Sequence, residues 1–208
     1  MIDDLNSVKT ASPEERTYHH GALRTALLTA AEALIEERGL DRFSLRETAR
    51  RAGVSPAAPA HHFGDARGLL TAIATEGFRA LGDALEAVDV GEDRRARVMA
   101  QGAAYVRFAL ARPARFSLMW RKAILDNDHP ALDKAGRRAF QTLDSAVRGE
   151  SADRTGPRDP ALAPSIACWS MVHGFALLAL DGVFGSDEGA PELAVKALLS
   201  PVLSHLDF

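Results

Sequence analysis

Residues 39–63 read Gly39-Leu40-Asp41-Arg42-Phe43-Ser44-Leu45-Arg46-Glu47-Thr48-Ala49-Arg50-Arg51-Ala52-Gly53-Val54-Ser55-Pro56-Ala57-Ala58-Pro59-Ala60-His61-His62-Phe63. Ser44 to Glu47 has the form of a capping box. The serine hydroxyl can accept an early backbone N–H, and the glutamate can reach back to the serine N–H. A short helix follows to Ala52, Gly53 stops it, and Val54 is an apolar turn residue. Ser55-Pro56 then restarts a helix with a hydroxyl cap and a proline whose missing N–H is harmless there, and this helix should end near Phe63-Gly64. In a helix-turn-helix the two helices pack tightly at a steep angle, which calls for small residues at the crossing and a glycine at the turn. Ala49 and Gly53 meet that demand, although an ordinary helical hairpin would fit the pattern alone.

Outward from this stretch the chain reads as helix throughout. Leu23, Ala26, Leu27, Ala30 and Leu34 recur at helical spacing from about Ala22 to Arg38, and Gly39 sits where a left-handed C-terminal cap belongs. Residues 1–16 are polar and without period; Ser12-Pro13-Glu14-Glu15 resembles a capping box but is read as part of a tail or a short turn. Asp65 can cap a helix through Leu69, Leu70, Ile73, Phe78 and Leu81 to about Val88. Further helices are expected from about Glu92 to Ala111, through Phe116 to Ile124, from Pro130 to Arg148 and from Pro160 to Phe184. Loops separate them at 149–159 and 185–190, and a last helix carries Leu199, Val202, Leu203 and Leu206.

Composition agrees with an all-α fold. Ala and Leu supply 63 of the 208 residues against 25 for Val, Ile and Thr, a ratio that favours helix because small or unbranched side chains lose little freedom there. A hydrophobic fraction of 47% supports a packed interior and excludes a disordered chain. The single cysteine, Cys168, cannot close an internal disulfide, and the start Met1-Ile2-Asp3-Asp4 lacks the form of a secretory signal, so a reducing cytoplasm is expected. No uninterrupted apolar run approaches the roughly 18 residues of a membrane span. The net charge of −3 argues against a histone-like binder of nucleic acid. Arg42, Arg46, Arg50, Arg51 and Arg67 nevertheless face only Glu47 and Asp65 between positions 42 and 67, so one small segment is basic inside an acidic chain.

The run from Gly39 to Ser55, with His62-Phe63 after it, resembles the DNA-binding segment of TetR-family transcriptional regulators over about residues 18–70. Trp169-Ser170-Met171-Val172-His173-Gly174 is similar to the Trp-x-x-x-His-Gly signature of one C-terminal domain type attached to such regulators. The resemblance implies an N-terminal tail (1–16), a helix-turn-helix DNA-binding domain (17–66) and a larger helical ligand-binding and dimerisation domain (67–208). It implies a repressor that binds a palindromic double-stranded operator as a homodimer under the control of a small-molecule effector. Ser44 would cap its helix at a phosphate with Arg46 close by. Ser55, Pro56, Ala57, Ala58, His61 and His62 would present the next helix to base edges and phosphates, and Arg67 would add a backbone contact.

Two positions depart from the family pattern. Ala60 stands where a tyrosine and Ala66 where a lysine usually reach phosphates, so weaker or more salt-sensitive binding is expected. The second reading is therefore a ligand-binding or interaction protein on the same fold with weakened DNA binding. Pro59 is unusual too, since four residues beyond a Ser55 cap it would remove the first hydrogen bond of its helix and distort it.

For the effector cavity the resemblance points to the segments carrying Phe108, Phe116, Met119, Trp120, Trp169 and His173, and a mostly apolar lining suggests an apolar or amphipathic ligand. His173 could equally satisfy a core carbonyl. Cys168 reads as a buried, inert thiol. His19-His20 and His61-His62 lack partners at metal-ligand spacing, and no phosphate loop, nucleophile elbow or zincin motif is present. Neither an enzyme nor a cofactor is expected. On the long C-terminal helix, Ile166, Trp169, His173, Ala176, Leu177 and Leu180 form one stripe, and Ala163, Ala167, Ser170 and Gly174 a small-residue stripe. A helix apolar on two sides needs two partners, one of which could be a second subunit.

Overall fold

The computed structural model describes residues 13–88, 90–91, 93–149, 156, 158–185, 187 and 189–205, with side chains from Gly21 onward. The described residues are helical with no strand, and they divide into two compact units after Ala66.

In the first unit, α1 (Pro13–Arg38) packs on α2 (Leu45–Arg51), and α2 packs on α3 (Ala58–Phe63). Residues 13–16, read as tail or turn, are helical instead. α1 is helical from Pro13, the first described residue, well before its apolar repeat begins. Leu27, Ala31 and Leu34 of α1 are wholly buried. Gly39 has φ +77° but ψ 166°, a glycine-tolerant conformation outside the expected left-handed helical well, and its N–H donates to Ile35 O at 2.8 Å.

Half of the capping box forms. Ser44 is extended and its Oγ accepts the Glu47 N–H at 3.2 Å, but the Glu47 carboxylate turns to Arg50 instead of back to Ser44. At the other end of α2, Gly53 N–H donates to Arg50 O at 3.2 Å and Val54 N–H to Ala49 O at 3.0 Å, with Gly53 at φ +68°. These two bonds make a Schellman motif, which satisfies carbonyls that the helix end would otherwise orphan.

The restart of the third helix differs from expectation. Ser55 is not its cap: Ser55 O accepts the Ala58 N–H at 3.0 Å in a turn, and α3 begins at Ala58 after Ala57. Pro59 thereby falls in the first turn, where N–H groups have no intrahelical partner, and costs no hydrogen bond. The sequence accommodates Pro59 by shortening the helix, not by distorting it.

The second unit holds α4 (Ala66–Glu86), α5 (Arg94–Ala111), α6 (Pro113–Met119), α7 (Pro130–Arg148), α8 (Ala163–Leu180), α9 (Ala190–Ala194) and α10 (Ser200–Leu203), with one π-turn at Val195–Leu199. Leu206 lies outside the described residues. Asp93 caps α5 by accepting the Ala96 N–H at 3.0 Å, and Pro113 and Pro130 open α6 and α7. α5, α7 and α8 pack on one another. Arg148 donates to Asp144 at 2.6 and 2.5 Å, and the Ser165 hydroxyl donates to the same carboxylate at 2.5 Å, tying α7 to the start of α8.

The stretch 160–180 is long and apolar enough by composition to cross a membrane, although serine and histidine interrupt its apolar run. Here it packs on α5 and α7 through Ser165, Cys168, Val172, Phe175, Ala176 and Ala179. The inward side is therefore not the stripe drawn from the sequence. Ile166 and Leu177 belong to the exposed side, at 47% and 41% exposure, together with Ala163 and Ser170.

Candidate nucleic-acid interface and effector cavity

Ser44, Arg46, Ser55, Pro56, Ala57 and His61 are exposed, and Ala58 and His62 are half-buried, so the first unit presents most of the expected DNA-facing residues to solvent. Ser44, Arg46, Glu47, Arg50, Val54 and Pro56 line one concavity that joins the start of α2 to the turn before α3. The Ser44 hydroxyl accepts from Glu47 N–H and keeps its own proton to donate, which suits a phosphate oxygen at the positive end of a helix. His61 N–H donates to Ala57 O, placing the imidazole one helical turn beyond the exposed Ala57. His62 tilts onto Phe63 at 6.3 Å.

The charge available to a partner is smaller than the sequence count. Arg50 makes a two-pronged bond to Glu47 at 2.9 and 2.7 Å, and Arg51 pairs likewise with Glu37. The Arg50 hydrogen bond pulls the Glu47 carboxyl down to about 2 against the opposing effect of burial, with the charges of Arg50, Arg38 and Arg51 assisting. Glu47 is thus ionised at neutral pH. Arg67 lies in the second unit and donates to Ala123 O at 3.0 Å, a bond that the sequence did not reveal. Arg42 and Arg46 make no ion pair among the described residues.

In the second unit, Phe78, Leu81 and Leu85 of α4, Tyr105 of α5, Trp120 just past α6, the α7 residues Gly136, Ala139, Phe140 and Leu143, and Trp169 of α8 line a cavity of about 20 Å³. That is room for about one water. Of the six residues expected to line it, Trp120 and Trp169 do. Phe116 and His173 stand behind them, with ring centroids 6.1 and 4.8 Å from Trp120. Phe108 and Met119 are buried but do not line the cavity. Phe108 lies under the Arg112 guanidinium at 5.9 Å. Met119 abuts Gly77, where a β-carbon would come within 2.6 Å of its sulfur. Both serve packing.

Tyr105, one of the bulky residues in the segments where the cavity is expected, connects the wall. Trp169 Nε1 donates to its hydroxyl at 3.3 Å, and the hydroxyl lies 2.9 Å from His173 Nδ1. Burial pushes the phenol up and the imidazole down, so both groups are neutral at neutral pH. The Tyr105 hydroxyl can then accept from Trp169 and donate to Nδ1, which puts the proton of His173 on Nε2. Cys168 is buried, and burial pushes its thiol up to about 11. Among the described residues no three His, Cys, Asp or Glu side chains gather as a metal site.

Comparison with known proteins places these features in a family. Residues 27–73 match bacterial regulatory proteins of the tetR family, and residues 98–201 match the tetracyclin repressor-like C-terminal domain. No curated protein matches the chain. Among solved structures, a protein of unknown function from Rhodococcus sp. RHA1 is 37% identical, covers 91% of this chain and 97% of its own, and superposes with a TM-score of 0.71. A bacterial regulatory protein of the tetR family from Rhodococcus RHA1 is 21% identical over 88% of this chain and 96% of its own, with a TM-score of 0.68. NalD, the secondary repressor of the MexAB-OprM multidrug efflux pump in Pseudomonas aeruginosa, is 22% identical over 89% and 98%, with a TM-score of 0.59. The helix-turn-helix and the helical C-terminal unit each carry their own family match, and the protein belongs to the TetR family of DNA-binding transcriptional regulators.

Proposed function

We propose that the protein is a ligand-responsive repressor, not an enzyme, and that it binds a palindromic double-stranded operator in the cytoplasm as a homodimer. Residues 17–66 serve as its DNA-binding domain and residues 67–208 as its effector-binding and dimerisation domain, with Trp169 to Gly174 marking the Trp-x-x-x-His-Gly type. The observation that carries this reading is the concavity at the start of α2, where a helix-capping hydroxyl and an unpaired Arg46 stand beside the exposed turn leading into α3. Ser44 and Arg46 would hold a phosphate; Ser55, Pro56, Ala57, Ala58, His61 and His62 would face the groove, and their small surface permits close approach to thymine methyls. Arg67 would contribute through the guanidinium N–H groups that its bond to Ala123 O leaves over. The aromatic cavity supports an apolar effector, and the exposed apolar side of α8 supports a second copy as partner.

Fluorescence anisotropy with DNA from the protein's own upstream region tests the reading. Tight, salt-dependent binding is expected, and Arg46→Ala should weaken it across sequences and reduce the log–log salt slope by about one. Absence of a salt-sensitive complex even at low ionic strength would favour the second reading prompted by Ala60 and Ala66, a ligand-binding protein that has lost DNA binding.

A further inference from the structure

We propose that the cavity selects an uncharged aromatic molecule carrying a hydrogen-bond acceptor, and that the acceptor takes the indole N–H of Trp120. The inference rests on reading the cavity as the effector site and adds the chemistry of its occupant. Three observations converge on it. Half of the lining residues are aromatic, including Phe78, Phe140 and Trp169, whose rings stand 5.2 to 5.6 Å from a neighbouring ring in the wall. Faces and edges at such distances suit another aromatic ring.

No lining side chain is charged, and His173 behind the wall is neutral. An anion or cation entering here would lose its hydration with no counter-charge to replace it. The third observation sets the polarity. The other polar groups of the wall are already used, since Trp169 donates to Tyr105 and Tyr105 pairs with His173. Of the polar groups in the wall, Trp120 Nε1 is a buried donor with no hydrogen-bond acceptor among the described residues. An indole nitrogen only donates, so the matching group on a ligand is a carbonyl, ether or ring-nitrogen acceptor. The present volume, about 20 Å³, means that such a molecule widens the cavity as it binds.

The only two tryptophans of the chain, Trp120 and Trp169, both line the cavity, so each of the two indole signals in a ¹H–¹⁵N spectrum reports on it. Titrations of the intact protein without DNA would use acetophenone, ethylbenzene, which matches its shape but lacks the acceptor, and benzoate, which adds a charge. Acetophenone is expected to move the Trp120 signal downfield and to bind about tenfold more tightly than ethylbenzene, the value of one neutral hydrogen bond, with benzoate not binding. Trp120→Phe assigns the signals and should erase the preference for acetophenone. The wild-type comparison of the three probes stands without the variant if that substitution unfolds the protein. Equal binding of ethylbenzene or benzoate, no binding of acetophenone at millimolar concentration, or a preference that survives in W120F would overturn the proposal. A protein that binds DNA but not acetophenone sinks this inference alone, whereas one that binds acetophenone but no DNA sinks the regulatory reading.

Discussion

Ser44 and Gly53 were legible because their roles are settled within a few residues: a hydroxyl three positions before a free N–H, and a glycine two positions past the last helical residue. The structure adds the magnitude. A β-carbon at Gly53 would meet nothing within 4 Å, so Gly53→Ala pays only for holding an L-residue at φ +68°. Destabilisation of about 1–2 kcal/mol is expected in urea denaturation, with a native-like spectrum before the transition. The role of Tyr105 was illegible for the opposite reason. Its partners Trp169 and His173 lie 64 and 68 residues away, and no local pattern announces such a pairing. Tyr105→Phe keeps the shape of the 2%-exposed ring but leaves Trp169 Nε1 and His173 Nδ1 without partners. A loss of about 1–3 kcal/mol is expected, together with a shift of the Trp169 indole signal that Phe116→Leu would not reproduce.

At the scale of elements, most helices could be placed from their caps and prolines, and α7 matches its expected bounds at both ends. Both proline-marked starts were misplaced: residues from Pro13 are helical, and Pro59 falls in the first turn of a helix that begins at Ala58 and not at Ser55. α8 is apolar all round, so it has no polar face from which to read its orientation.

What orients α8 is partly the ion pair beneath it. Asp144 is 3% exposed, and Arg148 and Ser165 hold it. Burial pushes the carboxyl up, but the bonds from Arg148 and Ser165 outweigh that and hold it below its ordinary value. A depressed folded pKa contributes stability that is present above the unfolded value, about 4, and is lost as pH falls through the folded value. Asp144→Asn should cost about 1–3 kcal/mol at neutral pH, because it weakens the charge-assisted bonds from Arg148 and Ser165. The acid-side slope of stability against pH should flatten in the variant; an unchanged slope would show that this carboxylate does not carry it.

At the scale of the molecule, contact counting decides how Ala60 and Ala66 act. Each phosphate contact contributes about 0.9 to the log–log salt slope, so missing contacts make binding weaker and less salt-sensitive, not more. In the proposed homodimer, joining two heads would offset contacts that a single head lacks, so a surface able to pair two copies bears on DNA binding. Ile166, Leu177 and Leu178 of α8 stand 47%, 41% and 46% exposed, and Leu193 and Leu198 in the packed C-terminal segment 66% and 43%. Five large apolar side chains left in water on adjoining elements exceed what scattered surface residues explain. A two-fold pairing of this side would bury them and match a palindromic site. Ile166→Glu with Leu177→Glu places charges on that side without touching the inward residues Cys168, Val172 and Ala176. Sedimentation equilibrium should show a dimer for the wild type and a folded monomer for the variant. Operator affinity should fall by roughly 100-fold or more as the two heads are uncoupled, while binding of a single half-site stays the same. A variant that remains dimeric, or a wild type that sediments as a monomer while binding the full operator tightly, would place the coupling of the heads elsewhere on the chain.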